Sequence, residues 1–153
     1  MGQCFQNTMK RKEAVQVKLK QLLEGMSYEV QQGTAELEIS EIQYDSRKVE
    51  KDSLFVCITG FQTDGHKYIP MAVEKGAAAL LCEHKVENVP ENVTVIVTEN
   101  NRIALAVASS NFYGHPSREM HAIGVTGTNG KTSTTYLMKS ILDRVGGKVG
   151  IVG

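Results

Sequence analysis

Residues 123–137 read IGVTGTNGKTSTTYL. The run HAIGVTG, which overlaps its start, has the apolar character of a strand. Behind it, Leu137, Met138, Ile141, Leu142 and Val145 fall on one helical face. Between them lies a glycine-rich turn. A chain that leaves a strand and enters a helix at once exposes the free N–H groups of the first helical turn. The helix dipole favours an anion above them. Gly127 and Gly130 allow the tight turn and a close approach of backbone to phosphate oxygens. Lys131 adds a point charge toward terminal phosphates, and the Thr132 hydroxyl is placed to hold Mg²⁺. The stretch Gly127, Thr128, Asn129, Gly130, Lys131, Thr132 and Ser133 therefore reads as a phosphate-binding loop. One spacing departs from the common pattern, which has a glycine five residues before the Gly-Lys glycine. Here that position is Val125, and the glycines fall at 124 and 127.

Upstream, strand-like and helix-like segments alternate. The positions Val15, Leu19, Leu22 and Leu23 form one helical face that ends at Gly25. ELEISEIQYDSR (36–47) alternates as a half-buried strand, and SLFVCI (53–58) is a short continuous apolar strand. GFQTDGH (60–66) is a turn, with Asp64-Gly65 as the turn pair. YIPMAVEKGA (68–77) is a helix that tolerates Pro70 only in its first turn and closes at Gly76. AAALLCE (77–83) and VTVIV (93–97) are strands, and NRIALAVASSNFYG (101–114) is a helix. KVGIV (148–152) begins one more strand. This alternation predicts an α/β fold with a largely parallel sheet. The break at YGHPSREM places a domain boundary near residue 118. That leaves a loose extension over 1–17, a first domain over 18–118 and the start of a second over 119–153.

Composition narrows the function. Hydrophobic residues make up 41% and charged residues 22% of the 153, as in a globular domain. Lys plus Arg and Asp plus Glu both number 17, so net charge is zero. That provides no electrostatic case for nucleic acid or an anionic membrane. No apolar run nears the ~20 residues that span a bilayer, and the first residues hold no apolar signal core. Cys4, Cys57 and Cys82 show no metal or redox spacing, and Cys57 and Cys82 read as small buried residues. His66, His84, His115 and His121 show no ligand spacing. A cytoplasmic location fits these features.

GVTGTNGKTS (124–133) resembles the ATP-binding loop of the Mur ligases, which build the peptide stem of bacterial peptidoglycan, and that family uses the shortened glycine spacing. YDSRKVEKDSLFVCITGFQTDGHKYIPMAVEKGAAALLCE (44–83) is similar to the N-terminal, UDP-binding domain of the branch that adds the third amino acid. The resemblance runs from about residue 18 to residue 153. It implies an N-terminal Mur-ligase domain followed by the first strand, loop and helix of a P-loop-type central domain, and a chain that is the front piece of a three-domain enzyme.

The implied activity is an ATP-dependent amide ligase. It adds meso-diaminopimelate or L-lysine to UDP-N-acetylmuramoyl-L-Ala-D-Glu through an acyl phosphate. The implied cofactors are ATP and Mg. The implied partners are the UDP-N-acetylmuramoyl-dipeptide and an amino acid, with no nucleic acid, no membrane and a monomeric state. By the resemblance, 127–133 holds ATP, Lys131 is its catalytic lysine and Thr132 its magnesium-holding hydroxyl. Tyr44, Ser46, Phe61, Gln62 and Thr63 match the positions that approach the UDP part of the substrate. Another P-loop enzyme, such as a kinase or folate-type ligase, and a non-catalytic nucleotide-binding module remain the alternatives.

Overall fold

The computed structural model describes residues 16–60 and 63–152. The chain divides into two compact units between Pro116 and Ser117.

The first unit is built on SLFV, Ser53–Val56 (β5), which is buried along its whole length. Its alternating side chains serve two different cores. Leu54 and Val56 join Leu19, Leu22, Ile39, Leu81, Ile96 and Ala104. Phe55 joins Val49, Ile69, Ala72, Leu80 and Val95. A strand with helices on both faces needs apolar residues at every position, so it reads as a continuous run. Ala77–Cys82 (β6) and Thr94–Val97 (β7) follow the same rule.

Around them lie Val17–Lys18 (β1), the single turn Leu19–Leu22 (α1), Glu29–Gln32 (β2), Glu38–Ile39 (β3) and Glu41–Gln43 (β4). The remaining helices of this unit are Ile69–Glu74 (α2) and Asn101–Phe112 (α3). The five-stranded sheet has the order β2-β7-β6-β5-β4. Its β4–β5, β5–β6 and β6–β7 pairs are parallel, and β2 is an antiparallel edge on β7. Helices α1 and α3 supply one core and α2 the other. The α/β architecture with a largely parallel sheet is therefore the one observed.

Several segments differ from expectation. The helix expected from Val15 is only one turn, because Val17 and Lys18 pair instead with Ile39 and Glu38. The strand expected over 36–47 breaks at Ser40, whose N–H donates to Asp52 O at 2.9 Å and whose hydroxyl donates to Lys51 O at 2.9 Å. The two halves then join different sheets. Strand β2 had no apolar alternation to announce it and exists because β7 offers it an edge.

In the second unit, Lys131–Arg144 (α4) forms as expected. The strands expected at 121–127 and 148–152 do not form. Among the described residues of this unit there is no strand to pair them, and an unpaired strand leaves its backbone groups unmet.

Candidate functional site

Parallel strands carry their C-terminal loops to one edge of a sheet, where such folds bind ligands. The loops after β4 and β5 both leave from that edge. After β4, Tyr44 is exposed and Ser46 is buried. Among the described residues the Ser46 hydroxyl has no hydrogen-bond partner. Between them the Asp45 carboxylate accepts from Arg47 Nε at 2.9 Å, Nη2 at 2.8 Å and the backbone N–H at 3.1 Å. This fork sets the loop and leaves the Arg47 side chain 82% exposed.

The Arg47 side chain, and then its backbone N–H, hold the Asp45 carboxyl down to about 2. An unstructured aspartate titrates near ~3.9, so the folded loop favours the ionised form. The contribution is present above about pH 4 and is lost as pH falls through about 2. The Asp45 carboxyl resonance is therefore expected to titrate near pH 2, and Arg47→Ala is expected to return it toward ~3.9.

The loop after β5 is closed by a Thr59–Asp64 bridge and by Gly60 N–H donating to Thr63 O at 2.9 Å. Gly65 is required there, since a Cβ would lie 2.6 Å from Ile58 N. Thr63 is exposed at the tip, its hydroxyl 3.2 Å from that of Tyr68. Phe61 and Gln62 lie outside the described residues. Asp64 caps the following 3-10 turn, Gly65–Tyr68, by accepting His66 N–H at 3.0 Å. That bond first, and the His66 side chain second, hold its carboxyl low. His66 Nε2 accepts the Glu83 N–H at 3.1 Å, so its proton is on Nδ1, 2.6 Å from Asp64 Oδ1.

The fixed base of this edge was not anticipated. Buried Asn101 donates to Cys57 O at 2.6 Å and Leu81 O at 2.8 Å, and accepts from Thr98 Oγ1 at 2.7 Å. It ties the ends of β5, β6 and β7 to the start of α3. Glu83 adds bonds to Thr59 Oγ1 and Asn101 N–H. In sequence, Asn100-Asn101 signals only a helix cap, and Asn100 is that cap. The carbonyls that Asn101 reaches are 44 and 20 residues away.

In the second unit, Gly130 is the residue before α4, with φ 75° and no side-chain cap. That left-handed conformation suits glycine. The first-turn N–H groups of α4, at Lys131, Thr132 and Ser133, have no partner inside the helix. Gly127, Thr128 and Asn129 are exposed ahead of them. Lys131 Nζ reaches back to Gly127 O at 2.5 Å, which lays the ammonium across the loop. The Thr132 side chain is exposed.

Two family models match these units. The Mur ligase family, catalytic domain, covers residues 38–113, and the Mur ligase middle domain covers 125–153. The chain belongs to the Mur ligase family. It is similar to UDP-N-acetylmuramoyl-L-alanyl-D-glutamate–2,6-diaminopimelate ligases of Clostridium tetani, 47% identical over 90% of this chain and 29% of that protein, and Clostridium botulinum, 50% identical over 76% and 24%. The chain thus spans under a third of the length of these curated relatives.

Among solved structures, a UDP-N-acetylmuramoyl-L-alanyl-D-glutamate–2,6-diaminopimelate ligase matches with TM-score 0.68 at 21% identity, over 90% of this chain and 28% of that one, and so shows the fold. The MurF ligase of Thermotoga maritima, solved in complex with ADP, matches with TM-score 0.52 at 27% identity, over 68% and 23%. Among the described residues no helix is long and apolar enough to cross a membrane.

Proposed function

We propose that residues 18–118 are the UDP-substrate-binding domain and residues 119–153 the opening of the ATP-binding domain of a peptidoglycan-precursor amide ligase. The observation that carries this reading is the 47% identity, over 90% of the chain, to a relative named as the 2,6-diaminopimelate-adding ligase. The same relative favours meso-diaminopimelate over L-lysine as the amino acid joined to UDP-N-acetylmuramoyl-L-Ala-D-Glu. A cytoplasmic monomer is the expected state.

ATP with Mg²⁺ would supply the phosphoryl group that activates the D-glutamate side-chain carboxylate, and the amine of the third amino acid would then close the amide. The residues on hand fit that role. The uncapped N–H groups at 131–133 and the turn through Gly127, Thr128, Asn129 and Gly130 hold phosphate oxygens. Lys131 balances charge that shifts during transfer, and the Thr132 hydroxyl is the Mg²⁺ ligand offered by this stretch. On the sheet edge, Ser46, Tyr44 and Thr63, with Phe61 and Gln62, hold the uridine diphosphate end and fix where the peptide begins. The Asp45–Arg47 fork holds the backbone on either side of Ser46.

The test is titration of the 153-residue chain with UDP, followed by amide shifts. Shifts are expected at 44–47 and 59–64, and Ser46→Ala is expected to weaken binding by about 1–2 kcal/mol. Shifts confined elsewhere would remove these residues from the site.

A further inference from the structure

Cys57 and Cys82 lie side by side at the ends of β5 and β6, where Cys57 N–H donates to Leu81 O at 2.9 Å. Both are fully buried, and their sulfurs are 3.9 Å apart. An imidazole nitrogen of His66 completes a group of three donor atoms that all lie within 4.8 Å of one another.

The spacing has a chemical meaning. Two thiolates on a tetrahedral ion at ~2.3 Å are held ~3.8 Å apart, close to the separation found. A disulfide would need the sulfurs to close to ~2.05 Å. The third donor is already oriented as metal-binding histidines are. Such a histidine donates its other ring N–H to a carboxylate, which fixes tautomer and ring. Here Nδ1–H faces Asp64 Oδ1, and among the described residues the Nε2 lone pair is engaged by the Glu83 N–H. None of the three side chains is among the residues assigned above to hold nucleotide.

We propose that Cys57, Cys82 and His66 Nε2 form a binding site for a thiophilic d¹⁰ divalent cation of the zinc and cadmium class. On binding, two S–H bonds break, two metal–sulfur bonds form and two protons leave to solvent. The Nε2 lone pair exchanges its hydrogen bond with Glu83 for the metal. A doubly charged ion with two thiolates and a neutral imidazole carries no net charge. That is the form in which an apolar interior accepts two ionised thiols. Without metal, the hydrogen bond shared with Cys82 and then burial push the Cys57 thiol up. His66 also lines a cavity of about 770 Å³, where His84 stacks on it at 4.1 Å. Three protein donors leave a fourth position for water.

The experiment titrates the reduced 153-residue chain with Cd²⁺ against a weak chelator. It reads the thiolate-to-metal charge-transfer band in the ultraviolet and the protons released in dilute buffer. One ion per chain and two protons per ion are expected. Cys82→Val should abolish the band while the chain still melts cooperatively, Cys4→Ser should leave it unchanged, and Asp64→Asn should weaken binding by ~10–100-fold. The His66 Nε2 resonance of the unsubstituted chain should shift on binding, a readout that does not depend on a variant folding. A band that survives Cys82→Val, binding that follows Cys4, absence of the two protons, or an unmoved Nε2 resonance would each overturn the site.

Discussion

Amide protons of residues 135–144 are expected to exchange about 10³-fold faster than those of Leu54–Val56 and Leu80–Cys82. Exchange measures the free energy of local opening, which runs from near zero at unsupported elements to the full stability at core strands. Strands β5 and β6 are bonded on both sides and packed on both faces, so opening them requires loss of both cores. Helix α4 has no buried residue. Its apolar stripe is exposed, with Leu137 at 64%, Ile141 at 56% and Val145 at 76%. Fourteen residues of helix without a packed face are marginal in water. Hydrogen exchange read by NMR on the chain tests this. Protection in α4 equal to that in β5 would mean that this face is covered in solution.

Lys131→Ala, made in a ligase that continues through the remaining Mur domains, is expected to lower turnover by on the order of 10²-fold or more. That is the cost of removing one preorganised electrostatic donor from a site where charge moves. The ammonium lies across the loop on Gly127 O. Its effect should fall on kcat more than on KM, because the charge matters most as the bridging oxygen becomes negative. Steady-state ADP release measures both. A turnover within a few-fold of the unsubstituted enzyme would take Lys131 out of the mechanism and leave it a turn-closing side chain.

The two candidate sites were legible to different degrees. The loop at 127–133 stands out in the sequence because its residue types are contiguous: glycines, lysine and hydroxyls lie within seven residues, and the helix behind them is written in the apolar periodicity. The first-domain site was reached through resemblance, and its supports were not legible. Asp45–Arg47 is a local pair, but Asn101, Glu83 and His66 act on groups 17 to 44 residues away. The reading of Cys57 and Cys82 as small buried residues was correct as to burial. It missed their meeting, since residues 25 apart become neighbours only through the β5–β6 register.

The amino-acid sequence by itself determined the α/β class, the helices α2, α3 and α4, and the strands β5, β6 and β7. Each follows from side-chain period or local turn chemistry. Tertiary structure alone decided that β2 joins as an antiparallel edge, that Ser40 splits one expected strand between two sheets, and that 121–127 and 148–152 stay unpaired. It also decided which thiols, imidazole and amide meet at the sheet edge. The physical reason is that strand pairing and buried hydrogen bonds are satisfied by partners far away in the chain, and no local pattern of residues specifies which partner will be there.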